Sequence, residues 1–170
     1  MSREPRNQAK VLTVSDSIEA GNREDISGAA LVRRLTDTEF DVIERRVVPD
    51  DVEEISNALS YMAYGFNGLI VTTGGSGFGQ RDFTPEATRR ILDRTAPGIA
   101  EAMRSVSPRG RLSRAIAGTR GSALVLNLAG APERALEMLD AVLEVVPEAL
   151  ELLGGGSVPT VHAVELNSAD

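Results

Sequence analysis

The sequence predicts an α/β domain of three layers, in which a mostly parallel sheet is flanked by helices. Apolar, β-branched segments of strand length alternate along the chain with longer helical patterns, and this alternation is typical of a parallel sheet. The helices between the strands are long enough to cover both faces of that sheet. The chain has 170 residues, of which 42% are hydrophobic, so it is large enough for one domain with a single core.

Four strands are predicted from their apolar and β-branched content. They occupy residues 9–14, 40–48, 68–73 and 122–128. A polar loop that starts at Ser15 follows the first strand, and Pro49 ends the second. The third strand runs directly into a glycine-rich turn. Each strand is therefore followed by a sharp change in composition, which fixes its carboxyl end in the sequence.

Helices are predicted between these strands from capping residues and helix breakers. They run from Ser27-Gly28 to about Leu35, from Asp51 to near Gly65, from Pro85 to the Pro97-Gly98 break and on through Met103, and from Pro132, with an interruption at Pro147, to Gly154. Asp51 and Glu54 form a capping box, and Thr84 is the predicted N-cap before Pro85. Residues 107–121 are rich in proline, arginine and glycine, which predicts an irregular connection.

One domain is predicted, over residues 10–154. Residues 1–9 are polar and are expected to be disordered, and residues 155–170 are expected to form a loose tail that contains the only histidine, His162. The absence of cysteine excludes disulfides, thiolate metal sites and cysteine nucleophiles, and is compatible with the reducing cytoplasm. No apolar run approaches the roughly 20 residues of a membrane span. A soluble cytoplasmic protein is expected.

The charge is distributed unevenly. The net charge of −7 argues against a general nucleic-acid binder, because nonspecific affinity comes from neutralising phosphates. Residues 81–120, however, contain nine arginines and only four acidic residues. This basic region is either a solvated surface or part of an anion site, and its position next to the glycine-rich turn keeps the second possibility open.

The glycine-rich turn follows the third strand and contains four glycines within residues 74–79. Bare glycine backbone lets N–H groups approach a phosphate closely, whereas the alternative is a turn that needs glycine only for its backbone conformation. Known phosphate and nucleophile motifs do not fit. The only lysine is Lys10, which rules out a Walker A loop, and Gln80 stands where a dinucleotide fingerprint requires glycine. Phe78 stands where a nucleophile elbow requires glycine.

Two carboxylates, Asp50 and Asp82, follow predicted strands and are expected at the same sheet edge as the glycine-rich turn, since ligands bind beyond the carboxyl ends of parallel strands. Two carboxylates beside a phosphate site would repel the ligand without a divalent cation, so the pair indicates Mg²⁺. Two alternatives remain open at this point. Asp50 could only cap the next helix together with Asp51, and Asp82 could be an internal partner of Arg81.

Other polar positions allow two interpretations each. Asp16, Asp25 and Ser27 could contact a ligand or cap the helix at Gly28. Ser113-Arg114 could contact phosphate or lie on a surface. Glu101 and Arg104 are three residues apart, which favours an intrahelical ion pair as much as a ligand contact.

The order of these motifs resembles the MoaB/Mog family of molybdenum cofactor biosynthesis, whose domain also occurs in gephyrin. The resemblance runs from about Lys10 to Leu153. The matching segments are Thr-Val-Ser-Asp (13–16), Asp-Ile-Ser-Gly (25–28), Val-Val-Pro-Asp (47–50), Thr-Thr-Gly-Gly-Ser-Gly (72–77), Arg-Asp-Phe-Thr-Pro-Glu-Ala-Thr (81–88), Pro-Gly-Ile-Ala-Glu-Ala-Met-Arg (97–104), Leu-Ser-Arg (112–114) and Leu-Asn-Leu-Ala-Gly-Ala-Pro (126–132). Ser76 stands in place of the usual threonine, and Ala129 in place of the usual proline.

The resemblance implies a homotrimer that joins molybdopterin to AMP from ATP with Mg²⁺ and releases pyrophosphate. It assigns Asp50 and Asp82 as catalytic residues and metal ligands. The substrate-binding residues implied by the resemblance and the loop chemistry are Ser15, Asp16, Asp25, Ser27, Gly28, Gly74, Gly75, Ser76, Gly77, Arg81, Thr84, Glu101, Arg104, Ser113, Arg114, Asn127 and Gly130. The alternative function is a trimer that binds pterin or nucleotide without catalysis, as a carrier or interaction module.

Overall fold

The computed structural model describes residues 7–38 and 40–156. The strands are β1 (Asn7–Val14), β2 (Phe40–Val48), β3 (Leu69–Thr73), β4 (Arg94–Thr95), β5 (Ala117–Arg120) and β6 (Ala123–Leu128). The helices are α1 (Asp16–Glu19), α2 (Ile26–Asp37), α3 (Val52–Ala63), α4 (Thr84–Ile91), α5 (Pro97–Arg104), α6 (Pro132–Asp140) and α7 (Val146–Leu153). Short 3₁₀ segments cover Pro108–Leu112 and Leu143–Val145.

The strands form one six-stranded sheet in the order β2-β1-β3-β6-β5-β4. The four strands from β2 to β6 are parallel, whereas β5 is antiparallel to both of its neighbours. Val14 pairs with Val48, and Thr73 pairs with both Thr13 and Leu128. The four parallel strands therefore end nearly level with one another, so the turns that follow them leave the sheet at one edge.

Each face of the sheet is covered by helices, because alternate residues of a strand point to opposite faces. Val11 of β1 belongs to a core cluster that α2, α5, α6 and α7 close, while Leu12 belongs to a second cluster closed by α3 and α4. Val71 and Ile70 of β3 divide in the same way. The structure thus confirms the predicted three-layer α/β fold with a mostly parallel sheet.

The second half of the chain differs from the prediction at β4 and β5. Residues 107–121, expected to form an irregular connection, contain both a 3₁₀ turn and the antiparallel strand β5. β5 has only four residues, one of them Gly118, and both residues of β4 are exposed. Neither segment has the apolar run that identified the parallel strands. β5 is identified by its pairing with β6, in which Ala117 faces Leu126.

Two helix starts also differ from the prediction. α2 begins at Ile26, and its cap is Asp25, whose Oδ1 accepts a hydrogen bond from the Gly28 N–H at 2.8 Å. Phe83 precedes α4 without a side-chain cap, so the assignment of Thr84 as N-cap is wrong. The Thr84 hydroxyl instead donates to the carbonyl of Gly74 at 2.9 Å, and therefore holds the glycine-rich turn rather than the helix end.

The remaining boundaries are close to the predicted ones. β1 begins at Asn7 and so includes residues 7–9, which were expected to be disordered. α6 and α7 are separated by a 3₁₀ turn, and Pro147 lies in the first turn of α7, where its missing N–H costs nothing. The predicted tail beyond residue 156, with His162, lies outside the described residues. In residues 7–38 and 40–156, the helices lack the combination of length and apolar character that a membrane crossing requires.

Asn127 joins several elements inside the sheet, where it is fully buried. Its Nδ2 donates to Thr72 Oγ1 at 3.1 Å and to Thr88 Oγ1 at 3.0 Å, which links β6 to β3 and α4. Its Oδ1 accepts from the Ile116 N–H at 3.3 Å. One amide side chain thus satisfies three polar groups in the core.

We predict that Asn127→Leu lowers the free energy of unfolding by about 2 kcal/mol or more, because it leaves these buried groups without their partner. Urea unfolding followed by circular dichroism measures the change. Thr119→Val is the matched control, since Thr119 Oγ1 is buried without a hydrogen-bond partner among the described residues. Removal of this hydroxyl should leave the free energy of unfolding unchanged or raise it. Equal losses in the two variants would contradict the assigned role of Asn127.

Candidate active site

Two neighbouring cavities open at the carboxyl edge of the parallel strands. The first, the aspartate cavity, has a volume of about 480 Å³ and is lined by residues that include Ser15, Arg23, Ser27, Asp50, Gly74 and Asp82. The second, the loop cavity, has a volume of about 250 Å³ and is lined by residues that include Ser76, Gly77, Leu112, Ser113 and Arg134. Both cavities share Gly75, Asp82, Gly130 and Ala131. The predicted convergence of strand ends therefore produces one continuous site with two parts.

The glycine-rich turn needs glycine at its first two positions. Gly74 and Gly75 have φ values of +99° and +65°, which side-chain-bearing residues rarely adopt. A Cβ on Gly74 would lie 2.3 Å from the carbonyl oxygen of Val14, and one on Gly75 would lie 2.4 Å from Thr84 Oγ1. These glycines are thus required by conformation and by close packing, and they also line the site.

The N–H groups of the turn are not equally available. The Gly74 N–H donates to the carbonyl of Leu128 at 3.4 Å, while the N–H groups of Gly77 and Gly79 donate to Asp82 Oδ2 at 3.1 and 2.9 Å. Within the described part of the chain, those of Gly75 and Ser76 donate to no acceptor. Two amides at the border of the cavities thus remain able to bind an anion.

Asp16 and Asp50 form a reciprocal pair across the ends of β1 and β2. The Asp16 N–H donates to Asp50 Oδ2 at 2.9 Å, and the Asp50 N–H donates to Asp16 Oδ1 at 3.0 Å. Arg81 completes the arrangement, because its Nε donates to Asp16 Oδ2 at 2.7 Å. This hydrogen bond lowers the pKa of Asp16 below its ordinary value. Asp51, not Asp50, caps α3 by accepting from the N–H groups of its first turn, so the capping interpretation of Asp50 is wrong.

The carboxyl group of Asp50 is held in an unfavourable environment for its charged form. Burial raises the pKa of Asp50, and the negative charges of Asp16 and Asp82 raise it further, while the N–H of Asp16 and the charge of Arg81 act in the opposite direction. A carboxylate with two acidic neighbours that lines a cavity is expected to be stabilised by a cation placed there. The electrostatics of the site therefore favour a positively charged ligand beside Asp50.

Asp82 has a structural role that the sequence analysis missed. Its Oδ2 accepts both loop amides described above, so the carboxylate closes the glycine-rich turn. It makes no ion pair with Arg81, which binds Asp16 instead, and the interpretation of Asp82 as a partner of Arg81 is wrong. Its two donors lie three and five residues before it in the sequence. Asp82 lines both cavities and is the shared acidic wall between them.

Arg114 clamps the same turn from outside. Its Nε donates to the carbonyl of Gly77 and its Nη2 to the carbonyl of Asp82, both at 2.6 Å, and its Nη1 pairs with Glu86. Its backbone N–H donates to the carbonyl of Ser76 at 2.8 Å. The guanidinium is thus occupied by the protein, which makes Arg114 a residue that orders the loop.

Several predicted site residues lie outside both cavities. Asp25 is buried behind the aspartate cavity, where its Oδ2 accepts from Thr13 Oγ1 at 2.7 Å and from Arg45 Nη2 at 2.9 Å. Gly28 lets α2 approach β1, since a Cβ there would lie 2.6 Å from Thr13 Oγ1. Asn127 lies within the sheet, and Thr84 lies beneath the glycine-rich turn. The structure gives these four residues supporting positions, and their predicted ligand contacts stay predictions.

Glu101 and Arg104 line a separate cavity of about 510 Å³ together with residues of the 105–111 segment. Arg104 Nη1 donates to the carbonyl of Ala115 at 2.7 Å, and residues 7–38 and 40–156 contain no ion pair between Glu101 and Arg104. The intrahelical ion pair was therefore wrong. Neither side chain faces the aspartate cavity or the loop cavity within this chain.

Two lining arginines were missing from the predicted set. Arg23 lines the aspartate cavity, and its Nη2 lies 3.5 Å from Ser15 Oγ. Arg134 lines the loop cavity from the first turn of α6. The sequence does contain a signal for Arg134, because this residue comes four residues after Gly130, which belongs to the turn that follows the last parallel strand.

The residues of the site fit Mg²⁺ that arrives with a phosphorylated ligand. Among the described residues, no group of three or more histidine, cysteine or acidic side chains could hold a metal ion by itself. Asp50 and Asp82 supply two carboxylates to one cavity, and Mg²⁺ commonly takes one or two carboxylates and completes its shell with phosphate oxygens and water. The donor set therefore fits a divalent cation that takes its remaining ligands from phosphate and water.

Several known proteins are similar to this chain in sequence and in fold. The family described as probable molybdopterin binding domain matches residues 10–153. A molybdopterin adenylyltransferase from Helicobacter pylori is 37% identical over 85% of this chain and 86% of its own length, and one from Escherichia coli K12 is 34% identical over 91% and 89%. Among solved structures, the molybdopterin biosynthesis enzyme MoaB from Thermus thermophilus has a TM-score of 0.83 and 44% identity, covering 88% of this chain and 97% of that one.

We predict opposite stability effects for Asp50→Asn and Asp16→Asn at neutral pH. The folded pKa of Asp50 is raised, so its ionisation costs stability as the pH rises above the unfolded value of 3.8, and the Asn variant should be as stable as the wild type or more stable at pH 7. The folded pKa of Asp16 is lowered, so its ionisation contributes stability above 3.8, and its Asn variant should be less stable.

Urea unfolding between pH 7 and pH 4 tests this pair of variants. The Asp50→Asn difference should shrink as the pH falls towards 3.8, because the wild-type carboxyl group becomes protonated. The Asp16→Asn difference should persist to pH 4, since the folded Asp16 carboxyl group stays ionised until the pH falls below its lowered pKa. The Asp50→Asn variant keeps an oxygen that can accept the Asp16 N–H, so its effect isolates the charge. Asp16→Asn also loses an acceptor, because both oxygens of Asp16 accept hydrogen bonds from Asp50 and Arg81. If Asp50→Asn lowers the free energy of unfolding at pH 7 and still does so at pH 4, the stability depends on the shape of the Asp50 side chain and not on its charge.

Proposed function

Because this chain belongs to the molybdopterin-binding family of molybdenum cofactor biosynthesis proteins, we propose that it transfers AMP from Mg-ATP to the terminal phosphate of molybdopterin, with release of pyrophosphate. The single observation that supports this reaction most directly is the meeting of Asp50 and Asp82 in the aspartate cavity, which Gly75 joins to the loop cavity lined by Ser76. Relatives that match over most of their length are named for the same activity.

The proposed reaction joins two phosphates. An oxygen of the pterin phosphate attacks the α-phosphorus of ATP, the new P–O–P bond forms, and the bond from the α-phosphorus to the bridging oxygen of pyrophosphate breaks. A phosphate monoester with a second pKa near 6 is largely dianionic at pH 7, so the attacking oxygen carries no proton that must be removed. The protein needs to align the two phosphates and to stabilise the negative charge that moves to pyrophosphate.

The residues of the site divide this work. Asp50 and Asp82 would hold Mg²⁺, which supplies positive charge against the polyphosphate when it is bound. The amides of Gly75 and Ser76 are donors at fixed positions, since the turn is held by Thr84, Asp82 and Arg114. Donors that are fixed before the ligand binds do not lose free energy in reorganising as charge moves.

The direct test is to incubate the purified protein with ATP, Mg²⁺ and molybdopterin and to look for adenylylated pterin and pyrophosphate. Both products in equal amounts would support the transfer. Tight binding of pterin without either product would instead support the carrier or interaction module. Absence of both binding and turnover would refute the proposed function.

We propose that the protein acts as a cytoplasmic homotrimer, as its family resemblance implies. The broad apolar face of residues 135–146 is one surface that the sequence offers for such an assembly. It does not support the trimer, because Ala135, Met138, Leu139 and Val142 pack into the core of the chain itself. The prediction therefore depends on other surfaces. Light scattering at micromolar concentration should give three times the chain mass of 18.1 kDa, and a stable monomer would contradict it.

We predict that Asp82→Asn reduces adenylyl transfer strongly while lowering the free energy of unfolding by about 1 kcal/mol or less, because the amide oxygen can still accept from the loop N–H groups. The amide lacks the charge that would retain Mg²⁺. Excess Mg²⁺ should therefore restore part of the rate by mass action, and the affinity for pterin should not fall below that of the wild type.

The measurement is the rate of transfer against Mg²⁺ concentration, with unfolding curves for each protein. Asp93→Asn is the matched control, because Asp93 Oδ2 also accepts from a glycine N–H, that of Gly121 at 2.7 Å, at the opposite end of the sheet. It should keep the wild-type rate at every Mg²⁺ concentration. Wild-type turnover by Asp82→Asn would exclude a catalytic role, and loss of its fold would leave Asp82 with the structural role alone.

A further inference from the structure

The two cavities differ in the charges that they present. The aspartate cavity has Asp50, Asp82 and Glu24 in its lining against Arg23. The loop cavity has a single acidic side chain in its lining, that of Asp82, against Arg134. A ligand that carries its own divalent cation suits the first environment, whereas an anion without a metal suits the second.

Arg134 is the lining arginine whose guanidinium is left available. Arg23, the other lining arginine, has its Nη2 at 3.5 Å from Ser15 Oγ. Arg81 and Arg114 line neither cavity, because Arg81 is paired with Asp16 and Arg114 is occupied by two carbonyls and Glu86. Arg134 is half-buried and, within residues 7–38 and 40–156, forms neither a hydrogen bond nor an ion pair. A half-buried guanidinium in a cavity with no protein acceptor is suited to a ligand that supplies the acceptor.

We infer that Arg134 is a substrate-binding residue that holds the phosphate monoester of the acceptor in the loop cavity, while the metal-bearing triphosphate takes the aspartate cavity. This assignment rests on the proposed function. The acceptor phosphate is a dianion that brings no metal, so the neighbouring carboxylate of Asp82 would repel it without a protein cation. Arg134 supplies that cation, and its planar guanidinium can bind two phosphate oxygens together.

The border between the cavities also fits this division. Gly75, Asp82, Gly130 and Ala131 line both of them, and the free N–H groups of Gly75 and Ser76 lie at that border. A phosphate held by Arg134 on one side and an α-phosphate on the other can meet there.

The test compares Arg134→Gln, Arg134→Lys and the control Arg33→Gln, which removes the same charge from an exposed position of α2. The first probe is molybdopterin, and the second is the same pterin after phosphatase treatment. Pterin fluorescence measures binding of both without ATP, and calorimetry measures binding of Mg-ATP. Binding is measured without turnover, so failure of catalysis in the wild type would refute the proposed function without deciding the role of Arg134.

Arg134→Gln should weaken binding of the phosphorylated pterin about tenfold or more, as expected for loss of a charge-assisted contact. It should change binding of Mg-ATP and of the dephosphorylated pterin by less than about twofold. Arg134→Lys should restore part of the lost affinity, and Arg33→Gln should match the wild type. Unchanged affinity for the phosphorylated pterin, or an equal loss for Mg-ATP, would overturn the assignment.

Discussion

The register of the four parallel strands is the constraint on which the rest of the site depends. Because β1, β2, β3 and β6 end nearly level, the turns that follow them meet without any long loop. The Asp16–Asp50 pair is possible only because Val14 and Val48 are neighbours in the sheet. A shift of one strand by one residue would turn its side chains to the opposite face and separate these turns.

Most of the charged groups at this edge of the sheet bind other groups of the protein, so few of them are left free to bind a ligand. Arg81 and Arg114 were conspicuous in the sequence, yet their guanidinium groups bind Asp16, Glu86 and loop carbonyls. In the structure Arg114 holds the glycine-rich turn, and Arg81 links the end of that turn to Asp16 and Asp50. Asp82 has a structural role and also lines the site, since one of its oxygens closes the turn while its carboxylate faces both cavities. A basic stretch in a sequence therefore identifies the region of a site more reliably than it identifies the ligand contacts.

The sequence predicted the fold class and the positions of the parallel strands because continuous apolar runs are required wherever a strand is buried on both faces. It missed β5, whose four residues are defined by pairing with β6 rather than by an apolar pattern. It placed Thr84 at a helix cap, but a hydroxyl can equally bind a distant carbonyl. Polar side chains such as Asn127 are ambiguous for the same reason, since their partners are set by tertiary contacts that local patterns do not contain.

The two-residue turn between β5 and β6 has a consequence for the opposite end of the sheet. Arg120 pairs with Ala123 across this turn, and Gly121 has a φ of +55°. β5 runs antiparallel, so its first residues return to the edge where the parallel strands end, and they bring Ser113 and Arg114 with them. An inserted residue at Gly121 would shift β5 by one position against β6. The guanidinium of Arg114 would then move away from the carbonyls of Gly77 and Asp82. Variants of this hairpin are thus restricted in length, and the positive φ of Gly121 restricts the sequence at its tip as well.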